Sequence, residues 1–128
     1  MGDTAPNSRD AAFALAGVLA EHKGGDVVVL DVSSQAGWTD YFVIATATSG
    51  THLRGLARLV EEAVVGLGLE RFNHPSVADD DEWILADLGT VVVHLMTERA
   101  RAFYELEKLW FQSAATRVEL SPREAAIP

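Results

Sequence analysis

The chain has 128 residues, 48% of them hydrophobic and 23% charged, with a formal net charge of -9 and no cysteine. That length and apolar content predict one domain with its own core, and the missing cysteines exclude disulfides, thiol nucleophiles and thiolate zinc sites. The acidic balance opposes binding to nucleic-acid backbones or anionic membranes and favours a basic protein partner; with no apolar run near the roughly 18 residues of a membrane span a soluble protein is expected, and the lack of cysteine fits a cytoplasmic home.

From Ser8 to Lys23, the apolar residues Ala12, Leu15, Ala16 and Leu19 recur at the spacing of one helical face. Asn7 or Ser8 can cap this first helix, and Gly24-Gly25 supplies a left-handed stop. Val27 to Val32 is β-branched and almost wholly apolar, as in a strand buried on both faces. Ser33 to Gly37 reads as a turn, and Tyr41 to Thr48 as a second buried strand. Ser49 caps an amphipathic helix from Thr51 to about Gly66, with Leu53, Leu56, Ala57, Val60, Ala63, Val64 and Leu67 on one side.

Pro75 and the run Asp79-Asp80-Asp81-Glu82 mark residues 70 to 82 as a loop. Two strands follow, Trp83 to Leu88 and Val91 to Met96, and the short Gly89-Thr90 link between them predicts a hairpin. A third helix, about Glu98 to Ala114, is expected to bury Phe103, Leu106, Leu109 and Trp110, with Arg117 to Leu120 a short edge strand. Strand, helix, strand implies a crossover into a mixed sheet. The ordered core is expected over about residues 8–120, with 1–7 and 121–128 loose.

Neither a glycine-rich dinucleotide fingerprint nor a P-loop lysine is present, and His22, His52, His74 and His94 lack metal-ligand spacing. Asp31, Asp40 and Asp87 lie in or beside strands and give the enzyme alternative, a metal-dependent nucleotidyl or phosphoryl transferase. Against it, the three share no D-x-D pair and no cation, and strand-end aspartates often tie down neighbouring amides. Trp38, Trp83 and the pair Tyr104 and Phe111 are aromatics beside acidic groups, and each either packs on the sheet or anchors a partner. Without a catalytic set, a binding module is favoured over an enzyme, and no cofactor is expected.

Taken together, "VLDVSSQAGWTDYFVIATATS", "EWILADLGTVVVHLM" and "ARAFYELEKLW" resemble the bacterial and organellar ribosomal silencing factor, or Iojap-like, family. The resemblance implies a single α/β (α+β) domain with a mixed sheet packed by helices, of nucleotidyltransferase-like topology but without catalytic motifs. It also implies a non-enzymatic role: binding the large ribosomal subunit through ribosomal protein number fourteen and blocking subunit joining when nutrients are scarce. The family's pattern falls here on Thr39, Asp40 and Tyr41 at the mouth of the second strand. It falls again on Trp83, Asp87, Gly89 and His94, and on Tyr104, Glu107 and Trp110. Trp83, Asp87, His94 and Tyr104 are the expected partner-binding residues, followed by Glu107 and Trp110, while Thr39 and Asp40 are expected to cap backbone amides. Three departures stand out: Arg71 to Pro75 replaces a usual Glu-Gly pair, Gly89-Thr90 a usual Gly-Asp, and Trp38 a usual aliphatic residue. A dimeric adaptor is a third reading, because the resemblance implies that self-association occurs and apolar strand edges invite pairing.

Overall fold

The computed structural model describes residues 7–72, 82–104 and 114–118. The elements run α1 (Ser8–Glu21), β1 (Gly25–Asp31), α2 (Ser33–Ala36), β2 (Tyr41–Ala47), α3 (Gly50–Gly66), β3 (Trp83–Asp87), β4 (Val91–Thr97), α4 (Glu98–Tyr104) and β5 (Ala114–Val118). The five strands form one mixed sheet in the order β3-β4-β2-β1-β5. Only β2 and β4 are parallel; the β1–β2, β1–β5 and β3–β4 pairs are antiparallel.

The unbroken apolar runs of β1 and β2 reflect burial on both faces of the sheet. Val27, Val29, Val43 and Ala45 point to one side, where Leu15 and Leu19 of α1 and Leu53, Leu56 and Val60 of α3 complete the main core. Val28, Leu30, Phe42 and Ile44 point to the other, joined by Val92 and Met96 of β4 and Ala100 of α4. Alternation along the strands thus divides one apolar sequence between two cores.

Local chemistry sets the helix ends. Asn7 caps α1 by accepting from the Asp10 amide at 2.8 Å, and Ser49 caps α3 by accepting from the His52 amide at 3.1 Å. The expected glycine stop of α1 is corrected: Lys23 takes the left-handed conformation, at φ 70°. Gly24 is required for close approach, because its amide donates to the Leu19 carbonyl at 2.8 Å and a Cβ would sit 2.8 Å from that oxygen. Gly24→Ala is therefore expected to cost about 2 kcal/mol, measured as a shift in the urea midpoint with unchanged m-value.

Three further expectations are corrected. Ser33 to Ala36 is a short helix, initiated where Asp31 accepts from both the amide and the hydroxyl of Ser33, at 3.1 and 2.7 Å. The last helix does not reach Ala114, which opens β5 and pairs with Asp31. Phe103 is 78% exposed instead of buried, because α4 turns Ala100 and Arg101 inward. Two residues along a helix is a rotation of about 200°, so with Arg101 facing in, Phe103 faces out.

Candidate functional site

Across the face of the sheet opposite α1 and α3 runs a row of rings. Trp38 tilts against Phe42 with centroids 5.9 Å apart, Phe42 meets His94 edge-on at 4.8 Å, and His94 lies 5.9 Å from Trp83. Strand register assembles the row: His94 of β4 pairs with Ile44 of β2 on one side and Leu85 of β3 on the other. Trp83, half-buried at the start of β3, donates its indole N–H to His94 Nδ1 at 3.2 Å.

That bond decides the tautomer of His94. With Nδ1 accepting, the ring proton lies on Nε2, which is buried and has no hydrogen-bond partner among the described residues. His94 is 5% exposed, and burial pushes its pKa down to about 4, so the ring is neutral near pH 7. A neutral, walled-in imidazole is poorly placed for proton transfer to a ligand, and it serves here as a wedge that orients Trp83.

The other expected site residues divide. Asp87 ends β3 and accepts the Gly89 amide at 2.9 Å, closing the hairpin turn in which Gly89 adopts φ 88°. Tyr104 belongs to α4, at its last described residue. Glu107 and Trp110 lie outside the described residues, as do Leu106, Leu109, Phe111 and the acidic residues 79–81.

At the mouth of β2 the expected side-chain capping gives way to a different arrangement. The Asp40 and Tyr41 amides both donate to the Thr90 carbonyl, at 3.0 and 3.1 Å, and the Asp40 carbonyl accepts from Val32 at 2.9 Å. Thr39 Oγ1 is buried without a hydrogen-bond partner among the described residues. Asp40 instead accepts from the Ser8 hydroxyl at 3.0 Å, tying the start of α1 to the sheet. Asp40→Ala and Ser8→Ala are each expected to cost about 1 kcal/mol, and the double variant little more than either. Additive losses in thermal unfolding would dissolve the proposed tie. The Tyr41 phenol is raised by burial first and by the Asp31 carboxylate second, so it stays protonated.

The three aspartates of the enzyme alternative do share one end of the sheet, yet Asp31, Asp40 and Asp87 each accept a hydrogen bond from another group of the fold. Among the described residues, no group of three or more His, Asp or Glu side chains is arranged to hold a metal ion. A depression of about 910 Å³ opens at the other end, beside the carboxyl termini of β2 and β4, lined by Thr46, Thr97, Arg99 and Arg101 among others. Its arginines are bound to the fold: Arg99 grips Glu82 at 2.6 Å, and Arg101, 8% exposed, donates to Thr46 Oγ1 at 2.8 Å. Hydrophobic periodicity gives no sign of this buried arginine, since Arg101 sits where a polar helix face would be read. Among the described helices none is long and apolar enough to cross a membrane.

Known proteins share both pattern and fold. A ribosomal silencing factor of Treponema pallidum is 38% identical over 105 residues, spanning 81% of this chain and 93% of that protein. The mouse protein named mitochondrial assembly of ribosomal large subunit protein 1 is 34% identical over 98 residues, 75% of this chain but 43% of the mouse protein. A crystal structure of a Chromobacterium violaceum protein superposes with a TM-score of 0.77 over 94% of this chain and all of that one, at 24% identity, and so agrees in fold. The sequence pattern described as ribosomal silencing factor during starvation matches residues 5–127, almost from end to end, and on that ground the chain belongs to the ribosomal silencing factor family.

Proposed function

We propose that this protein binds the large ribosomal subunit through ribosomal protein number fourteen, using the ring-lined sheet face around Trp83 and His94, and blocks subunit joining by steric exclusion. Membership of the family carries a ribosome-associated, translation-silencing role. The observation that supports this face as the docking surface is the half-exposed indole of Trp83, pinned from behind by His94, whose own ring is backed by Phe42. A large aromatic held rigid before binding loses little entropy on docking, which is the character of an interface anchor. Asp87 and Tyr104 extend the same reading, and Glu107 and Trp110 are carried with them from the resemblance.

Steric exclusion needs no turnover, and the mechanism proposed is occupancy without catalysis. The net charge of -9 supports a basic protein partner and discourages loose adhesion to RNA. The name of the mouse relative, with its large ribosomal subunit, is in keeping with the partner proposed.

Co-sedimentation with isolated large subunits, isolated small subunits and joined ribosomes tests the reading. Selective pelleting with free large subunits is expected, together with a fall in subunit joining as protein is added. Pelleting with none of the three, or equally with all, would overturn it.

A further inference from the structure

At the hairpin end of the sheet two large aromatics stand in solvent. Trp38 is 60% exposed and Phe72 is 62% exposed. The Phe72 ring covers the Gly89-Thr90 turn, and the backbone that follows Trp38 is bonded to it. Trp38 lies two residues before Asp40, whose amide bonds to the Thr90 carbonyl, and the Phe72 ring comes within 3.1 Å of where a Gly89 Cβ would stand. The Phe72 amide donates to the Asp87 carbonyl at 2.8 Å and Arg71 donates to the Leu85 carbonyl at 2.9 Å. Residues 71 and 72 therefore strap the outer edge of β3, and Phe72 is held in place from its own backbone.

The charge around these rings has one prevailing sign. Asp31, Asp40 and Asp87 occupy this end, because Asp31 pairs with Tyr41 across β1 and β2, and Asp87 pairs with Val92 across β3 and β4. Three strand spacings place Asp31 and Asp87 about 14 Å apart, with Asp40 between. The nearby cations are already used: Arg71 pairs with Glu61 at 2.7 Å and Arg9 lies over the Phe13 ring at 4.8 Å. An aromatic face beside carboxylates suits a guanidinium, which stacks on the ring while its N–H groups reach the acids.

We propose that Trp38 and Phe72, with Asp40 and Asp87, form a second contact surface at the hairpin end that docks an arginine-bearing basic protein segment. It goes beyond the Trp83 face, since Trp83 pairs with Met96 at the far end of β4, five residues and about 16 Å from the turn. The buried rings of Phe42 and His94 lie between Trp38 and Trp83, so the two surfaces are separate patches over one packed row.

The test uses a hexa-arginine peptide as probe and the isotopically labelled full chain. On titration the Trp38 indole N–H resonance is expected to move far more than that of Trp83, whose N–H is bound to His94. Trp38→Ala combined with Phe72→Ala is expected to weaken peptide binding about tenfold, and Asp40→Asn, which retains an acceptor for Ser8, several-fold. Glu62→Gln, which removes one charge from α3 as Asp40→Asn does beside the turn, is expected to change it less than about twofold. Should the α3 variant weaken binding as much as the aromatic variant, or the aromatic variant bind undiminished, the surface is overturned. Trp38→Ala alone repeats the test with the Phe72 strap intact. Because the probe is a free peptide, failure here is separate from failure to bind large subunits.

Discussion

Acidification from about pH 7 to about pH 4 is expected to remove roughly 3 kcal/mol of stability through His94 alone. In the folded chain burial holds the imidazole pKa down at about 4, against 6.5 for the free side chain. Between those values the unfolded chain binds a proton that the folded chain does not, so stability rises with pH across that window. The contribution is complete above about pH 6.5 and is lost as the pH falls through the folded-state value. Asp31, held below the usual carboxylate range first by the Ser33 hydroxyl and then by its amide, acts in the same sense but at lower pH. Urea unfolding of the native chain and of His94→Leu at several pH values separates the two. The native chain should lose stability steeply from pH 6 to 4, and His94→Leu should lose about 3 kcal/mol less, whatever its stability at neutral pH. Parallel pH profiles would show that His94 is not a buried neutral base.

Trp83→Ala is expected to lower affinity for the large subunit about 100-fold, and Trp83→Phe about tenfold. The two substitutions remove different things. Alanine deletes the anchor and exposes the ring of His94 behind it. Phenylalanine keeps apolar area but loses the indole N–H bonded to His94 Nδ1 at 3.2 Å, and with it the fixed orientation. Part of the alanine effect is stability, because Trp83 also packs against the second core. Circular dichroism of each variant at the sedimentation temperature keeps unfolding apart from loss of contact. A folded Trp83→Ala chain that pellets with large subunits as well as the native one would remove Trp83 from the interface.

Most elements were legible because they rest on local pattern. Continuous β-branched apolar runs identify β1 and β2, and apolar spacing of three and four residues with Asn7 and Ser49 at the ends identifies α1 and α3. The hairpin followed from Gly89-Thr90, where chain connectivity leaves few options. The last helix was overextended into β5, since its apolar residues continue at helical spacing while the β-sheet partner of Ala114, Asp31, lies 83 positions away and has no local trace.

The site was legible in type and incomplete in geometry. Trp83, Asp87 and His94 are chemically telling residues in the sequence, and the resemblance ties them to one family. Sequence could not say that His94 accepts from Trp83, because the bond depends on the antiparallel register that sets Leu85 opposite His94. Nor could it reveal Arg101 beneath Thr46, the Ser8 hydroxyl on Asp40, or Phe72 over Gly89, each a contact between positions far apart in the chain.

By itself, then, the sequence determined composition, core-forming potential, the main helices and strands, and the family, all of which follow from neighbouring residues or their pattern. Tertiary structure alone decided which aromatics stand out, which acids share one end of the sheet, and that Phe72 covers the Gly89 turn. The physical reason is range: propensity and periodicity act over a few residues, whereas strand order and register bring distant side chains within a few ångströms.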